Sequence, residues 1–156
     1  MRLLLPLLFL FIVSCSQNNK YEYILKEDNF KYNFKLNEGQ SFVDLEEGFT
    51  FYNAANQNSK KTPVVLIHGF SVPSYIWDPT YKMLKEKGFY VISIDLFGRG
   101  NSKNIDGDYT DELFANQVLQ LLNFLEIEKA DFVGLSNGGR VISKIADTKP
   151  EIINDL

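Results

Sequence analysis

The sequence predicts an α/β fold, because short apolar runs of strand type are each followed by a segment with helical features. The runs have the length and the β-branched content of buried strands, and they occupy 63–67, 91–94 and 130–135. The first of these runs is followed by a loop and a helix within 71–87, and the other two by helical segments at 110–125 and 138–146. With 156 residues, the chain is expected to form one domain.

Local signals mark the ends and the buried faces of these helices. Gly88 follows the first helical segment and predicts its C-terminal stop. Thr110 can cap the second, with Asp111 and Glu112 favourably placed in its first turn. Apolar spacing predicts that the following residues face the core: Trp77, Tyr81 and Leu84; Phe114, Val118, Leu121, Leu122 and Leu125; Val141, Ile142 and Ile145.

The most informative motif is Gly134-Leu135-Ser136-Asn137-Gly138, a G-x-S-x-G pattern between the last strand and the last helix. We call this turn the elbow. A serine at a sharp strand-to-helix turn is held with its hydroxyl exposed, and glycine neighbours keep side chains out of the bend. Gly134 and Gly138 are expected to do so, and Gly139 is expected to let the helix approach the sheet closely. The alternative is a plain glycine-rich turn, because the pattern is short.

Two upstream motifs accompany the elbow. The strand at 63–67 ends in His68-Gly69-Phe70, and the strand at 91–94 runs into Asp95-Leu96-Phe97-Gly98-Arg99-Gly100-Asn101-Ser102. In this order and spacing, the three motifs resemble the α/β-hydrolase fold family over roughly residues 40–156. The resemblance implies a mostly parallel sheet with helices on both faces, entered through antiparallel strands. Those entry strands would be the segments 30–36, 41–45 and 49–54.

The resemblance also implies a catalytic centre. Ser136 matches the family nucleophile, and the main-chain N–H groups of Phe70 and Asn137 match the two donors that stabilise an oxyanion. Such a serine attacks an ester, a thioester or a similarly activated carbonyl and forms an acyl-enzyme. Esterase, lipase, carbon–carbon bond hydrolase and cofactor-free peroxidase activities all stay open.

Other residues near these motifs match supporting positions of the family. The pair His68 and Gly69 matches residues that shape the oxyanion loop, and a role for His68 as a base is the less favoured alternative. Asp95 matches a structural carboxylate that braces the glycine loop behind it. Four aromatic residues could line a substrate pocket, although core packing is favoured for the tryptophan: Phe70, Tyr75, Trp77 and Phe97.

The partners that Ser136 needs are not evident in the sequence. The family order is serine, acid, histidine, but the single histidine of the chain precedes Ser136. Of the later acids Asp147, Glu151 and Asp155, the first lies about 16 Å along the helix from the elbow, too far to orient a base there. We therefore expect an N-terminal half of a hydrolase domain, truncated after the nucleophile helix and inactive by itself. Its elbow strand would lie exposed at the sheet edge, uncovered on one face. A non-catalytic binding module and a non-functional fragment are the alternatives.

Composition argues against other classes of function. The net charge is −4 and no helix is rich in Arg or Lys, so nucleic acid is not an expected partner. One cysteine and one histidine do not supply the usual ligands of a metal site. The loop 98–100 lacks the third glycine of a dinucleotide-binding fingerprint. We expect no metal and no cofactor, and a small ester-like molecule as the partner.

The N-terminus predicts export. A minimal positive region, Met1-Arg2, precedes an apolar core at 3–13 that is too short to span a membrane and typical of a signal peptide. Ile12-Val13-Ser14-Cys15 resembles the lipobox of bacterial lipoproteins, in which the cysteine is acylated. The expected organisation is a signal peptide at 1–14, an acylated Cys15 with a tether at 15–29, and the hydrolase domain at 30–156. The lipid would hold the protein at a membrane of the bacterial cell envelope; an ordinary secretory signal and an uncleaved anchor are the alternatives.

Overall fold

The computed structural model describes residues 34–155, which form a six-stranded sheet flanked by helices. The predicted signal peptide, acylated cysteine and tether lie outside the described residues. The strands are β1 (Gln40–Asp44), β2 (Phe49–Ala55), β3 (Val64–Ile67), β4 (Val91–Ile94), β5 (Ala130–Gly134) and β6 (Ile153–Asp155). Their spatial order is β1-β2-β4-β3-β5-β6.

The sheet begins with antiparallel strands and continues with parallel ones. β1 pairs with β2, and β2 with β4, in antiparallel register. β3 pairs in parallel with both β4 and β5, and β5 pairs in parallel with β6. The predicted α/β class is therefore confirmed. The first predicted entry strand is not formed at 34–36, and its other residues, 30–33, lie outside the described part of the chain.

Three α-helices connect these strands within residues 34–155. They are α1 (Asp78–Glu86), α2 (Asp111–Phe124) and α3 (Asn137–Thr148), and short 3-10 turns precede α1 and β6 at Ser74–Trp77 and Pro150–Ile152. The predicted end signals are present, since Thr110 Oγ1 accepts the N–H of Leu113 at 3.1 Å and Gly88 has φ +76° after α1. None of the described helices is both long and apolar enough to cross a membrane.

Side chains alternate between the two faces of the sheet and so build two cores. Val65 and Ile67 of β3 belong to the larger core with α2 and α3, whereas Val64 and Leu66 pack on the side of α1. Helices therefore cover both faces, as predicted. Most predicted core residues of α2 and α3 are buried, and four are partly buried beside a core: Leu125, Trp77, Tyr81 and Leu84.

The strand that carries the elbow is not the edge strand, which corrects the expectation from sequence. β6 pairs with the outer side of β5 through Ala130 and Asp131, so the chain after α3 supplies the edge. The expected uncovered face is present. Val133 and Leu135 are 39% and 44% exposed, because the described helices leave that side of β5 and the elbow open.

Candidate active site

The motif residues meet at the place where the strand order changes direction. β3 lies between β4 and β5, so the loops after β3 and β5 leave the sheet side by side at the carboxyl ends of these strands. Ligand-binding crevices of open α/β sheets form at such a point. A Cβ built on Gly69 would lie 3.4 Å from Ser136 Cβ and 3.3 Å from Leu135 O. The segment 68–73, which we call the β3 loop, therefore packs directly against the elbow.

Ser136 occupies a strained turn that exposes its hydroxyl. Its backbone angles are φ 53° and ψ −111°, a conformation that favours glycine. Hydrogen bonds on both sides impose it: Leu135 N–H donates to Ile67 O at 3.0 Å, and Gly138 N–H donates to Leu135 O at 2.8 Å. Within residues 34–155 the Ser136 hydroxyl has no hydrogen-bond partner, and the residue is exposed. The hydroxyl is therefore open to a substrate.

Close packing requires glycine at positions 134 and 138 of the elbow, but not at the neighbouring position 139. A Cβ on Gly134 would lie 2.6 Å from both Gly138 C and Ile142 Cδ1, and a Cβ on Gly138 would collide with Ile67 O. These contacts bring the first turn of α3 onto β3. The expectation for Gly139 is wrong, because a Cβ there would meet nothing within 4 Å. The close approach of helix and sheet depends on Gly138 instead.

Two main-chain N–H groups beside Ser136 are available to bind an anion. Neither Phe70 N–H nor Asn137 N–H donates to an acceptor within the described residues. Asn137 is the first residue of α3, where unpaired N–H groups and the helix dipole favour negative charge. Phe70 follows Gly69, the residue in contact with the elbow. The two predicted oxyanion donors are thus unpaired and adjacent to the predicted nucleophile.

His68 is a buried, neutral side chain with both ring nitrogens engaged. Its Nε2 accepts the N–H of Leu96 at 2.9 Å, so the proton is on Nδ1, which donates to Gly69 O at 2.6 Å. Burial lowers the pKa of His68 below its usual value. Because the peptide is planar and trans, the bond to Gly69 O also fixes the direction of Phe70 N–H, which points the opposite way. His68 therefore orients the β3 loop and has no free nitrogen to serve as a base.

Asp95 ties the 3-10 turn that follows the β3 loop to the glycine loop after β4. Its carboxylate is 2% exposed; Oδ1 accepts the N–H of Ser74 at 2.7 Å and Oδ2 accepts the N–H of Asn101 at 2.9 Å. Gly100 has φ +56°, and a Cβ there would collide with this carboxylate. Both carboxylate oxygens hold loop backbone and neither faces an open site. The geometry is that of a structural brace.

Gln117 is a second brace of the glycine loop, and it was not predicted from the sequence. Gln117, fully buried in α2, accepts the N–H of Phe97 at 2.9 Å and donates through Nε2 to Thr50 Oγ1 at 2.9 Å and to Asp95 O at 3.1 Å. Ser102 adds a bond from its hydroxyl to Asp95 O at 2.6 Å. The available signal was the amide at position 117, which interrupts the apolar stripe of α2. A polar side chain at such a buried position must find partners.

The acids that follow Ser136 lie away from its hydroxyl. Asp147, Glu151 and Asp155 are all exposed, and Asp147 pairs with Lys144 of its own helix at 3.4 Å. None of them bonds to His68 or to Ser136. Within residues 34–155, no group of three or more His, Cys, Asp or Glu side chains is arranged to hold a metal ion.

The four aromatic candidates for a pocket divide into two pairs. Phe97 is fully buried and Trp77 packs against the smaller core, so both are core residues, as favoured for the tryptophan. Phe70 and Tyr75 are 67% and 62% exposed. These two lie on the β3 loop and on the 3-10 turn behind it, where a substrate could reach them.

Comparison with known proteins agrees with this geometry. A family model described as the alpha/beta hydrolase fold matches residues 62–156. An uncharacterized protein of Mycobacterium tuberculosis is 36% identical over 93 residues, which cover 60% of this chain and 27% of that protein. An AB hydrolase superfamily protein of Bacillus subtilis is 31% identical over 111 residues, 70% of this chain and 39% of that protein.

Solved structures give the same fold. The enol-lactonase of Burkholderia xenovorans LB400 matches with a TM-score of 0.68 and 27% identity, over 72% of this chain and 44% of its own. The present chain thus spans less than half the length of each of these three proteins. The family match covers well over half of the 156 residues and includes the β3 loop, the glycine loop and the elbow. With these three motifs assembled around one exposed serine, the chain belongs to the alpha/beta hydrolase fold family.

Proposed function

We propose that the protein is a serine hydrolase that cleaves an ester or a similarly activated carbonyl compound through an acyl-enzyme on Ser136. One observation carries the proposal: Ser136 is exposed at a strained turn, and within residues 34–155 neither its hydroxyl nor the main-chain N–H groups of Asn137 and Phe70 have a partner. Strain of this kind persists where the surrounding structure imposes it, and it concentrates at functional sites. The family relatives named as hydrolase and lactonase agree with this class of reaction.

The proposed hydrolysis proceeds in two stages, acylation of Ser136 and hydrolysis of the acyl-enzyme. Ser136 Oγ adds to the substrate carbonyl carbon while a base takes its proton, and the carbonyl oxygen becomes an oxyanion. Phe70 N–H and Asn137 N–H donate to that oxyanion and stabilise the tetrahedral intermediate. The intermediate collapses, the alkoxide or thiolate leaves with a proton, and the acyl group remains on Ser136. Water then repeats the addition and releases the carboxylic acid.

His68 does not serve as the base in this proposal. His68 is the single histidine of the sequence, and its two nitrogens are engaged. Removing the histidine of a serine triad costs on the order of 10⁶ in turnover and leaves about 10³–10⁴ over the uncatalysed rate. Residues 1–156 alone are therefore expected to turn over esters very slowly.

The experiment supplies a base from solution. Hydrolysis of a p-nitrophenyl ester by the full chain is measured with and without imidazole, alongside Ser136→Ala and the control Ser143→Ala. Ser143 lies exposed on the same helix, and its hydroxyl donates to Gly139 O at 2.9 Å. With imidazole present, the wild type and Ser143→Ala are expected to release p-nitrophenol faster than Ser136→Ala does under the same conditions. Equal rates for all three proteins would contradict the proposal and favour a non-catalytic binding module.

We also propose that the protein is exported and anchored in the bacterial cell envelope by a lipid on Cys15. Support comes from the sequence alone, through the short apolar core and the lipobox-like residues 12–15. Mass spectrometry of the protein from membranes is expected to show an acylated N-terminal Cys15. In a Cys15→Ala variant the lipid mass should be lost; an unmodified cysteine in the native protein would contradict the proposal.

A further inference from the structure

Arg99 connects two loops that meet at the candidate active site. It lies between Gly98 and Gly100 in the loop after β4, and its side chain reaches across to the β3 loop. Nε donates to Phe70 O at 3.1 Å, and Nη1 donates to Phe97 O at 3.1 Å. One planar guanidinium therefore joins the main chain of both loops.

Three aromatic rings surround this guanidinium. Its Cζ lies 4.6 Å from the ring centroid of Phe70, 5.2 Å from that of Tyr109 and 5.4 Å from that of Phe114. All three distances lie within the range of a cation–π contact. Within the described residues no carboxylate forms an ion pair with Arg99, so carbonyl oxygens and rings are its partners. A guanidinium suits this place, because it can donate from its edge and stack through its faces.

Phe70 needs such a support. Phe70 is 67% exposed and its N–H has no acceptor within residues 34–155, so its own main chain fixes it weakly. His68 holds the Gly69–Phe70 peptide through Gly69 O. Arg99 holds the next peptide through Phe70 O and also stacks on the Phe70 ring. The two side chains thus fix the peptides on both sides of the Phe70 Cα.

We propose that Arg99 is a positioning residue, which holds the main chain of Phe70 so that its N–H stays directed at the oxyanion formed on Ser136. The inference rests on the proposed hydrolase function for its catalytic consequence. The holding itself is a property of the β3 loop that can be measured without activity. A rigid loop matters because preorganised donors stabilise an oxyanion without reorganisation during the reaction.

The first test measures backbone order by ¹⁵N relaxation on the full chain. Phe70 and Ser71 N–H groups are expected to show order parameters of about 0.85, typical of rigid backbone. Arg99→Met should lower the value for Ser71 below about 0.6, because Ser71 N–H reports the peptide that Arg99 holds. The value for Phe70 should fall less, since His68 still holds the preceding peptide. A mobile Ser71 in the wild type, or an unchanged value in Arg99→Met, overturns the proposal.

Two further variants keep the test decisive. Arg140→Met removes another arginine, on α3, whose side chain is 70% exposed and pairs with Asp111; it should leave both order parameters unchanged. Should Arg99→Met fail to fold, Arg99→Lys retains the charge but loses the planar fork, and Ser71 should then show an intermediate loss of order. Full order in Arg99→Lys together with normal activity would overturn a role for the guanidinium.

The second test measures imidazole-assisted ester hydrolysis at Ser136. Arg99→Met is expected to lower kcat on the order of tenfold, less than the 10²–10³ lost when an oxyanion donor is removed, with KM changed less than twofold. Arg140→Met should match the wild type. An unchanged kcat in a protein whose Ser71 has become mobile would overturn the catalytic consequence. A wild type without Ser136-dependent hydrolysis would instead refute the proposed function, while the relaxation test still decides whether Arg99 holds the loop.

Discussion

The strain at Ser136 gives a prediction that separates function from stability. Ser136 has φ 53° and ψ −111°, and glycine tolerates such a positive φ without strain, so Ser136→Gly should relieve the strain. Ser136→Ala removes the same hydroxyl but keeps a Cβ in the strained backbone. Since the hydroxyl has no partner within the described residues and Ser136 is exposed, the alanine variant loses neither a hydrogen bond nor packing. The two variants therefore differ in backbone strain and backbone freedom alone.

The magnitude follows from two opposing terms. Relief of a strained non-glycine conformation is worth about 1–3 kcal/mol. The added freedom of glycine in the unfolded chain costs about 0.4–1 kcal/mol. With each term at the middle of its range, Ser136→Gly is expected to unfold with a free energy about 1.3 kcal/mol above that of Ser136→Ala, or a Tm about 3–5 °C higher for a chain of this size.

The assay is urea unfolding of the three proteins followed by tryptophan fluorescence, since Trp77 packs against the smaller core. Wild type and Ser136→Ala should have similar midpoints, and Ser136→Gly a higher midpoint with an unchanged slope. Both variants should be inactive. A glycine variant as stable as the alanine variant, or less stable, would refute the view that the elbow stores strain for its function.

Three further predictions concern residues around the elbow. Gly138→Ala should lower the unfolding free energy by about 1–3 kcal/mol, the usual cost of overpacking a core, because its Cβ would collide with the sheet. Gly139→Ala, its matched control in the same turn, should raise that free energy by about 0.5–1 kcal/mol, as measured by urea unfolding. Asp95→Asn should lower it by about 1–3 kcal/mol, because one of two backbone N–H groups loses its acceptor; a neutral result would exclude a bracing role. His68 stays neutral in the folded protein, because burial lowers its pKa, while the unfolded state takes up a proton as pH falls below about 6.5. The contribution of His68 to the unfolding free energy is therefore present above pH ~6.5 and lost toward lower pH. The unfolding free energy should fall by at most about 1.4 kcal/mol per pH unit on this account. In His68→Gln this part of the pH dependence should disappear.

Local chemistry in the sequence was sufficient for the elements and for the nucleophile. α2 begins at its predicted cap, Thr110, and α1 ends just before its predicted stop, Gly88, because caps and glycines act over a few residues. Ser136 was identified for the same reason, since the glycines that the turn needs lie within two positions of it. Entry strands β1 and β2 also form close to their predicted positions, at Gln40–Asp44 and Phe49–Ala55.

Contacts between distant segments could not be predicted in this way. The sequence assigned the close approach of helix and sheet to Gly139, yet it is Gly138 that lies against Ile67 O, a distinction made by the packing of α3 on β3. The edge role of β6 likewise depends on a pairing between residues more than twenty positions apart. Gln117 and Arg99 look like ordinary polar residues until the fold brings carbonyl and N–H groups of other loops to them.

The sequence by itself determined the α/β class, the serine and its elbow, and the absence of a second histidine, because each depends on residue types and short spacings. The tertiary structure decided that His68 is engaged at both nitrogens, that the N–H groups of Phe70 and Asn137 have no acceptor among the described residues, and that Arg99 reaches the β3 loop. The physical reason is that a hydrogen bond between loops depends on distances of about 3 Å. Such distances arise only once β4, β3 and β5 lie side by side in the sheet.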